Sequence, residues 1–487
     1  MTGPAQNSPD PTGTSGNEGI PDDNRRALDN TATPQEEGAA AAMTEPVGKV
    51  MAFWRNVGRT FISLAQPNYR FYFFGALLSN VGTWMQRTSQ DWLVLTRLTD
   101  HSSSALGIVS ALQFLAIPFL APFSGAVADR YPKRTILLVT QSLLGLNAAL
   151  LWLLVVTNHV ELWHVYLFAF SQGLVASFDM PARQAFVSEM VSDSLIPNAV
   201  GLNSMSFNAA RLIGPGAAGL LIAAVGVAPG MLINALSFLA MILALLAMNP
   251  KLLHPAPKRK GRGSVREGLS YIRHRPDIVL VLFMVFMLGT FGMNFQITNA
   301  TMATKVFGRG AAEYGALGTI MAIGTFGAAI IAARRKAPRV SVLMLGLGGF
   351  ALSNTFLALA PNYWFYAILL IPTGLCALTV MTSANSTVQI STAPSMRGRV
   401  MAIYAAINMG GTPLGAPIIG WVGDLAGPRW SLLTGSLATG LACVVVGLYF
   451  FVHKGVRVRL QRGRPLRLQV WTTSEAAAAQ VAGEPEK

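Results

Sequence analysis

From residue 68 onward the chain alternates between long apolar runs and short polar, mostly basic connections. Twelve apolar segments follow one another, centred near Gly82, Leu115, Leu146, Gly173, Ala217, Ser237, Leu288, Ile323, Phe350, Leu375, Gly411 and Ala442. Each is long enough to cross a hydrocarbon core of about 30 Å as a helix. Inside hydrocarbon every peptide group must be bonded within its own segment or closed barrel, so runs of this length read as helices. The first and seventh segments are the least apolar, and both are counted because they share a motif. The expected fold is an all-α membrane protein of twelve transmembrane helices. The longest internal connection, 249–277, divides them into an N-terminal bundle over 68–248 and a C-terminal bundle over 278–453.

The flanks have a different pattern. Residues 1–48 are rich in Pro, Gly, Asn, Thr and acidic residues and hold almost no large apolar side chains. Such a segment cannot offset its ordering entropy, and a disordered tail is expected. Over 49–66, Val50, Phe53, Trp54, Val57, Phe61 and Leu64 recur at helical spacing with Lys49, Arg55 and Arg59 between them. That pattern suggests an amphipathic helix lying in the membrane interface, with a soluble regulatory helix as the alternative. Residues 454–487 form a second tail.

Composition sharpens this reading. Of 487 residues, 52% are hydrophobic and only 12% charged, against about 25% charged in soluble proteins. A net charge of +15 would suit a nucleic-acid partner, but the basic residues sit in short loops between apolar runs, so none is expected. Only Arg97, Lys305, Arg309 and Arg429 fall in one set of loops, and most of the rest gather in the loops and flanks of the other side. By the positive-inside rule both termini are cytoplasmic, in the inner or plasma membrane. Trp92, Trp152, Trp163, Trp364 and Trp430 fall near the outer ends, as an interfacial belt would. The connection 249–277 carries Lys251, Lys258, Arg259, Lys260, Arg262, Arg266, Arg273 and Arg275. It fixes topology, and membrane lipid headgroups are its candidate partners. Cys376 and Cys443 lie in apolar runs and read as ordinary buried thiols.

The two halves repeat. The first span reads Gly82-x-x-x-Gln86-x-Thr88 and the seventh Gly292-x-x-x-Gln296-x-Thr298. The second ends in Ala128-Asp129-Arg130-x-x-Lys133 and the eighth in Ala332-Ala333-Arg334-Arg335-Lys336. The fifth carries Gly214-Pro215-Gly216-x-x-Gly219 and the eleventh Gly411-x-Pro413-x-Gly415, positions suited to close helix packing. Two parallel six-helix repeats, with a site between them that opens alternately to each side, are what a transporter needs.

Ionisable residues inside spans are costly, and each is a functional candidate. In the first span Gln86, Arg87, Gln90 and Asp91 are read as one cavity-lining face, with Asp91 a candidate proton carrier. The alternative is an Arg87–Asp91 ion pair that neutralises itself. Arg211, just before Gly214 and Pro215, either meets an anionic substrate group or pairs with carbonyls or an acid. Asn294, Gln296 and Asn299 offer uncharged hydrogen-bonding groups from the other half, for substrate or for inter-helix bonding. Asp179 and Arg183 close the fourth span and are read as a gate latch to the basic loop after Asp129. No hydrolytic, redox, metal-ligand or phosphate-loop pattern is present, so no enzyme activity, cofactor or built-in ATPase is expected. A monomer is the working expectation.

The stretch Gly125-x-x-x-Asp129-Arg130-x-x-Lys133-Arg134 resembles the signature loop between the second and third helices of the major facilitator superfamily. Asp179-x-Pro181-Ala-Arg183-Gln184, Ala210-Arg211-x-x-Gly214-Pro215 and Arg397-Gly398-Arg399 look like the branch of enterobactin exporters and macrolide efflux proteins. The resemblance spans about residues 68 to 453. It implies export of a small amphipathic compound (siderophore, antibiotic or other metabolite) in exchange for protons. It also implies that Asp129 docks near the start of the eleventh helix while Arg130, Lys133 and Arg134 latch the inner gate. Two departures limit it. Ala169 stands where the drug-antiporter pattern has an arginine, and Ala333 replaces an acid matching Asp129. An importer or uniporter of the same fold, or a non-pumping sensor or lipid translocase, are the alternatives.

Overall fold

The computed structural model describes residues 60–254, 265–335, 340–454, 457–461 and 467–471. The tail over 1–48, most of the interfacial segment, Lys336 and the middle of the basic connection lie outside the described residues. Twelve long helical segments follow in order. They are α1 (Pro67–Leu93), α2 (Ser103–Arg130), α3 (Lys133–Val156), α4 (Leu162–Glu189), α5 (Ile196–Val225) and α6 (Ala228–Ala247), then α7, which is broken, α8 (Ala311–Ala333), α9 (Val340–Ala358), α10 (Tyr363–Ser391), α11 (Arg397–Ala426) and α12 (Pro428–Lys454). The seventh span, α7, is built from Pro276–Met287, a π-turn at Leu288–Gly292, Phe295–Thr301 and a second π-turn at Met302–Val306. A short helix, Val265–Arg273, precedes it. Among the described residues the departure from an all-α chain is a backbone hairpin pairing Arg457–Gln461 with Arg467–Trp471.

Local chemistry sets the boundaries. Pro67 opens α1, where its missing N–H would have no partner anyway. Ser102 caps α2 by accepting from the Ala105 amide, and Glu161 with His164 forms a reciprocal cap on α4. The tight turns after α5 and α11 place Gly226 at φ +87° and Gly427 at φ +97°, a region that residues with a Cβ rarely enter.

The sequence repeat becomes a repeat of packing. In the first half α1 packs on α5 and α6, α2 on α4, and α3 on α4 and α6. In the second, α7 packs on α11 and α12, α8 on α10, and α9 on α10 and α12, one for one. The halves meet along α2 against α11 and α5 against α8. The outward surface keeps large apolar side chains exposed, among them Leu153, Leu220, Leu243, Leu345, Leu441 and Phe451. That surface suits lipid and would be untenable in water. Among the described residues nine helical segments meet the length and apolarity needed to span a bilayer. α1, α4 and α11 are equally long at 27, 28 and 30 residues but carry buried polar groups or glycine-rich packing faces. The seventh span, expected to be weakly apolar, is among the nine.

Candidate transport cavity and its closed end

A cavity of about 190 Å³ lies between the halves, lined by α1, α2, α5, α7, α8 and α11. Its walls include Trp84, Arg87, Phe114, Arg211, Pro215, Asn294, Phe295, Gln296, Asn299, Tyr314 and Thr412. α1 and α5 approach closely here because Gly214 has no side chain. A Cβ on it would come within 2.5 Å of Trp84 Cβ. That contact brings Arg211, one turn away on α5, beside the Trp84 ring. The Arg87 guanidinium stands 5.3 Å from that ring and 5.4 Å from Phe114, and the Arg211 guanidinium stands 5.7 Å from Trp84. From the other half, α7 breaks at Met293 and Asn294 at the cavity wall. There Asn294 Nδ2 turns back to the Thr290 carbonyl at 2.7 Å. Asn299 accepts from Tyr366 Oη at 2.7 Å while still lining the cavity. Such interruptions are tolerated at membrane depth where they border a cavity.

The four-residue face expected on α1 is split in two. Gln86 does not line the cavity; its Oε1 accepts from Asn234 Nδ2 on α6 at 2.6 Å. Gln90 is buried in the same row. Residues one apart on a helix point about 100° apart, so Gln86 and Gln90 form one row and Arg87 and Asp91 the next. Neither does Arg87 pair with Asp91. Asp91 crosses to the other half, where Tyr314 Oη on α8 donates to its Oδ2 at 3.1 Å. Trp92, expected in the interfacial belt, stacks on the same Tyr314 with centroids 6.1 Å apart.

Beyond this bond the cavity is closed on the face away from the chain's entry at Pro67. Gly219 on α5 sits against Ala311 and Gly315 on α8, and a Cβ there would lie 2.5 Å from the Ala311 carbonyl oxygen. Thr319 Oγ1 donates to the Leu212 carbonyl at 2.8 Å across the same seam. The α2–α11 seam is held by Asp424, near the end of α11. It accepts from Ser102 Oγ at 2.8 Å and from the Ser103 and Ser104 amides at 2.7 and 2.9 Å. Those amides are unsatisfied donors at the positive end of α2, where a carboxylate is favoured. Lys305 joins at 3.5 Å. Sequence reasoning missed Asp424, Trp84, Phe114 and Tyr314. A Ser-Ser-Ser run opening one span and an acid closing another were the available signals.

At the Pro67 face the seams part. An added Cβ at Gly125, Gly201, Gly327 or Gly398 would meet nothing within 4 Å. The residues read as a gate are engaged inside their own half. Asp179 accepts from Thr140 Oγ1 and Gln141 Nε2 at 2.7 Å and from Arg183 Nε at 3.0 Å, so it ties α3 to α4 and does not reach the basic loop. Lys133 pairs with Glu189 at 2.9 Å, and Arg134 donates to the Leu245 and Leu246 carbonyls at the end of α6. Asp129 and Arg130 are exposed, and Arg130 stands 5.9 Å from the Tyr131 ring. The reason is geometric: with the halves apart at this face, the nearest partners belong to the same bundle. In the second half Gly411 and Gly415 seat α11 on the α7 backbone at Gly289 and Thr290, and a Cβ at Gly415 would overlap the Thr290 carbonyl. Pro413, between them, lies within α11.

Two matched six-helix bundles, enclosing a polar and aromatic cavity closed at one face, define a multi-pass membrane transporter of the facilitator type. The chain belongs to the family described as transmembrane secretion effector, in the major facilitator superfamily, whose pattern matches residues 59–462. It is 23% identical over 407 residues to the enterobactin exporter EntS of Shigella boydii, covering 83% of this chain and 95% of that one. It is 26% identical over 394 residues to the multidrug efflux pump Tap of Mycolicibacterium fortuitum, covering 76% and 93%. Its fold is similar to that of a bacterial homologue of the human lysosomal transporter Spinster, with a TM-score of 0.62 at 14% identity, over 80% and 97% of the two chains. These relatives are transporters and not enzymes.

Proposed function

We propose that this protein is a secondary active exporter of a small amphipathic compound, a siderophore, antibiotic or other metabolite, working by proton exchange in the cell's inner membrane. The observation that carries the reading is the cavity between the halves, shut at one face by Asp424 and the α5–α8 seam. The names of the exporter and efflux-pump relatives support the direction. The Pro67 face, and with it both termini, is read as cytoplasmic from the distribution of lysine and arginine, so the cavity would be open to the cytoplasm. Asp91 is the candidate proton carrier. It is buried, it faces the other half, and it loses its bond to Tyr314 if the halves separate there. A group that changes surroundings between two states is one whose protonation can be coupled to the change. Arg87, Arg211, Asn294, Gln296 and Asn299 are the candidate substrate contacts.

The test uses inside-out vesicles with an imposed pH gradient reported by a quenched dye. Siderophores, macrolides and cationic dyes are added in turn. Compound-dependent dequenching that is lost in Asp91→Asn supports antiport through this residue. Dequenching that persists in the variant removes Asp91 from the coupling. Accumulation of the compound against its own gradient in the cell would reverse the assigned direction.

A further inference from the structure

We infer that the cavity binds an organic anion, a carboxylate or comparable oxyanion on an aromatic body, with the charge held between Arg87 and Arg211. The inference rests on reading this cavity as the transport site. Two guanidinium groups lie against one indole, Trp84, at 5.3 and 5.7 Å. No carboxylate forms an ion pair with either among the described residues. Asp91, one turn along from Arg87, offsets part of its charge through space without an ion-pair contact, and its Oδ2 accepts from Tyr314 on the opposite half. Arg87 Nε is shut off from solvent and has no hydrogen-bond partner.

Two other largely buried cations of this chain differ in having a carboxylate partner. Arg183 has Asp179 at 3.0 Å and Lys133 has Glu189 at 2.9 Å. Arginine stays charged at any physiological pH, so deprotonation is no escape. Two like charges converging on one ring leave the cavity positive and hold donors in forks that match carboxylate geometry. A cationic cargo would be repelled, and a neutral one would leave both groups unpaired. Trp84, Phe114 and Phe295 supply flat apolar walls for the body of the ligand. An aromatic anion satisfies both sets of groups at once.

The test is calorimetric titration of the full-length protein in nanodiscs, with empty nanodiscs subtracted. The probes are 2-naphthoate, its methyl ester and 2-naphthylmethylammonium, which share a ring and differ in charge. Naphthoate is expected to bind at least tenfold more tightly than the ester, and the ammonium ion to give no heat. Arg87→Gln and Arg211→Gln should each weaken naphthoate at least tenfold, with Arg211→Lys intermediate and thermal midpoints no lower than the parent's. Equal binding of ester or ammonium, no naphthoate heat in folded protein, or undiminished naphthoate binding in the double Gln variant would each overturn the inference. The export reading fails separately. Naphthoate that binds through both arginines but is never moved by vesicles leaves the anion site and removes export. A compound that is exported and binds equally well in the double variant does the reverse.

Discussion

Asp424 makes the closed face a measurable quantity. Its carboxylate takes three short bonds from the start of α2, and hydrogen bonds to a charged group contribute about 1.5 kcal/mol or more each. The side chain is 30% exposed, which screens part of that, and the Lys305 contact at 3.5 Å adds under about 1 kcal/mol at such exposure. A net contribution of about 3 kcal/mol follows for truncation to alanine, with roughly half that for asparagine, which keeps one oxygen and loses the charge. The bonds exist only while α2 and α11 touch at this face. When the halves part there, water serves both partners, so the contribution is differential and biases the conformational equilibrium.

At about 1.4 kcal/mol per tenfold, Asp424→Ala should lower the ratio of closed to open at this face roughly a hundredfold, and Asp424→Asn about tenfold. Spin labels at Thr96 and Leu425, both exposed and on opposite halves, read the distance across the seam in a background lacking Cys376 and Cys443. The long-distance population should grow in the order parent, Asn, Ala. Identical distance distributions in three equally stable proteins would refute the reasoning, since the clamp would then carry no differential energy.

Other consequences are checked by simpler means. Gly219→Val drives a branched side chain into the α8 backbone at Ala311 and Gly315. Overpacking of this kind costs about 1–3 kcal/mol, and the same labels should show the closed face loosened. Asn234→Leu strands the buried Gln86 carbonyl at a cost of about 1–3 kcal/mol, and adding Gln86→Leu should recover much of the lost thermal midpoint. Asp179→Ala leaves Arg183 without its ion-pair partner, a loss of about 3–5 kcal/mol for a buried pair. It should appear as detergent instability, and a midpoint within a degree or two of the parent would show that the cluster is not structural. If the cargo is an anion, an inside-negative potential expels it with about 2.3 kcal/mol per charge per 100 mV. A potassium diffusion potential should then drive naphthoate efflux from proteoliposomes without any pH gradient.

The architecture was legible because bilayer physics leaves few options. Apolar runs of spanning length must be helices, and matching Gly-x-x-x-Gln-x-Thr patterns, with proline among glycines in the fifth and eleventh spans, announced two copies of one bundle. Cavity-lining residues were legible where a charge or an amide stood inside a span, as with Arg87, Arg211, Asn294, Gln296 and Asn299. The four polar residues on α1 span one broad arc, but Gln86 and Gln90 lie about 100° around the helix from Arg87 and Asp91, so the two rows meet different neighbours. Which row meets α6 and which meets the cavity depends on how Gly82 and Gly230 let the helices approach. Trp84 and Tyr314 look like ordinary membrane aromatics until α5 and α8 are placed beside them. Asp424 was missed for a related reason. Two of its three partners on α2 are backbone amides more than 300 positions away in sequence, which carry no sequence signature, and only the serine run that opens α2 hinted at the contact.

The α2–α11 pair also frames how the two faces could alternate. The helices run in opposite directions, so the end of each lies near the start of the other. Each carries an acid near its end, Asp129 on α2 and Asp424 on α11. A carboxylate there is stabilised by the other helix's free amides only when the two ends touch. Here Asp424 is engaged, while Asp129 is exposed and makes no ion pair among the described residues. A rigid rocking of the halves that brought Asp129 to the start of α11, the contact expected from the loop motif, would pull Asp424 off α2. Asp129→Ala and Asp424→Ala should then move one equilibrium in opposite directions, read by the same pair of labels. If both shift it the same way, the two acids are not the ends of one lever, and the balance between faces is set in the α5–α8 seam instead.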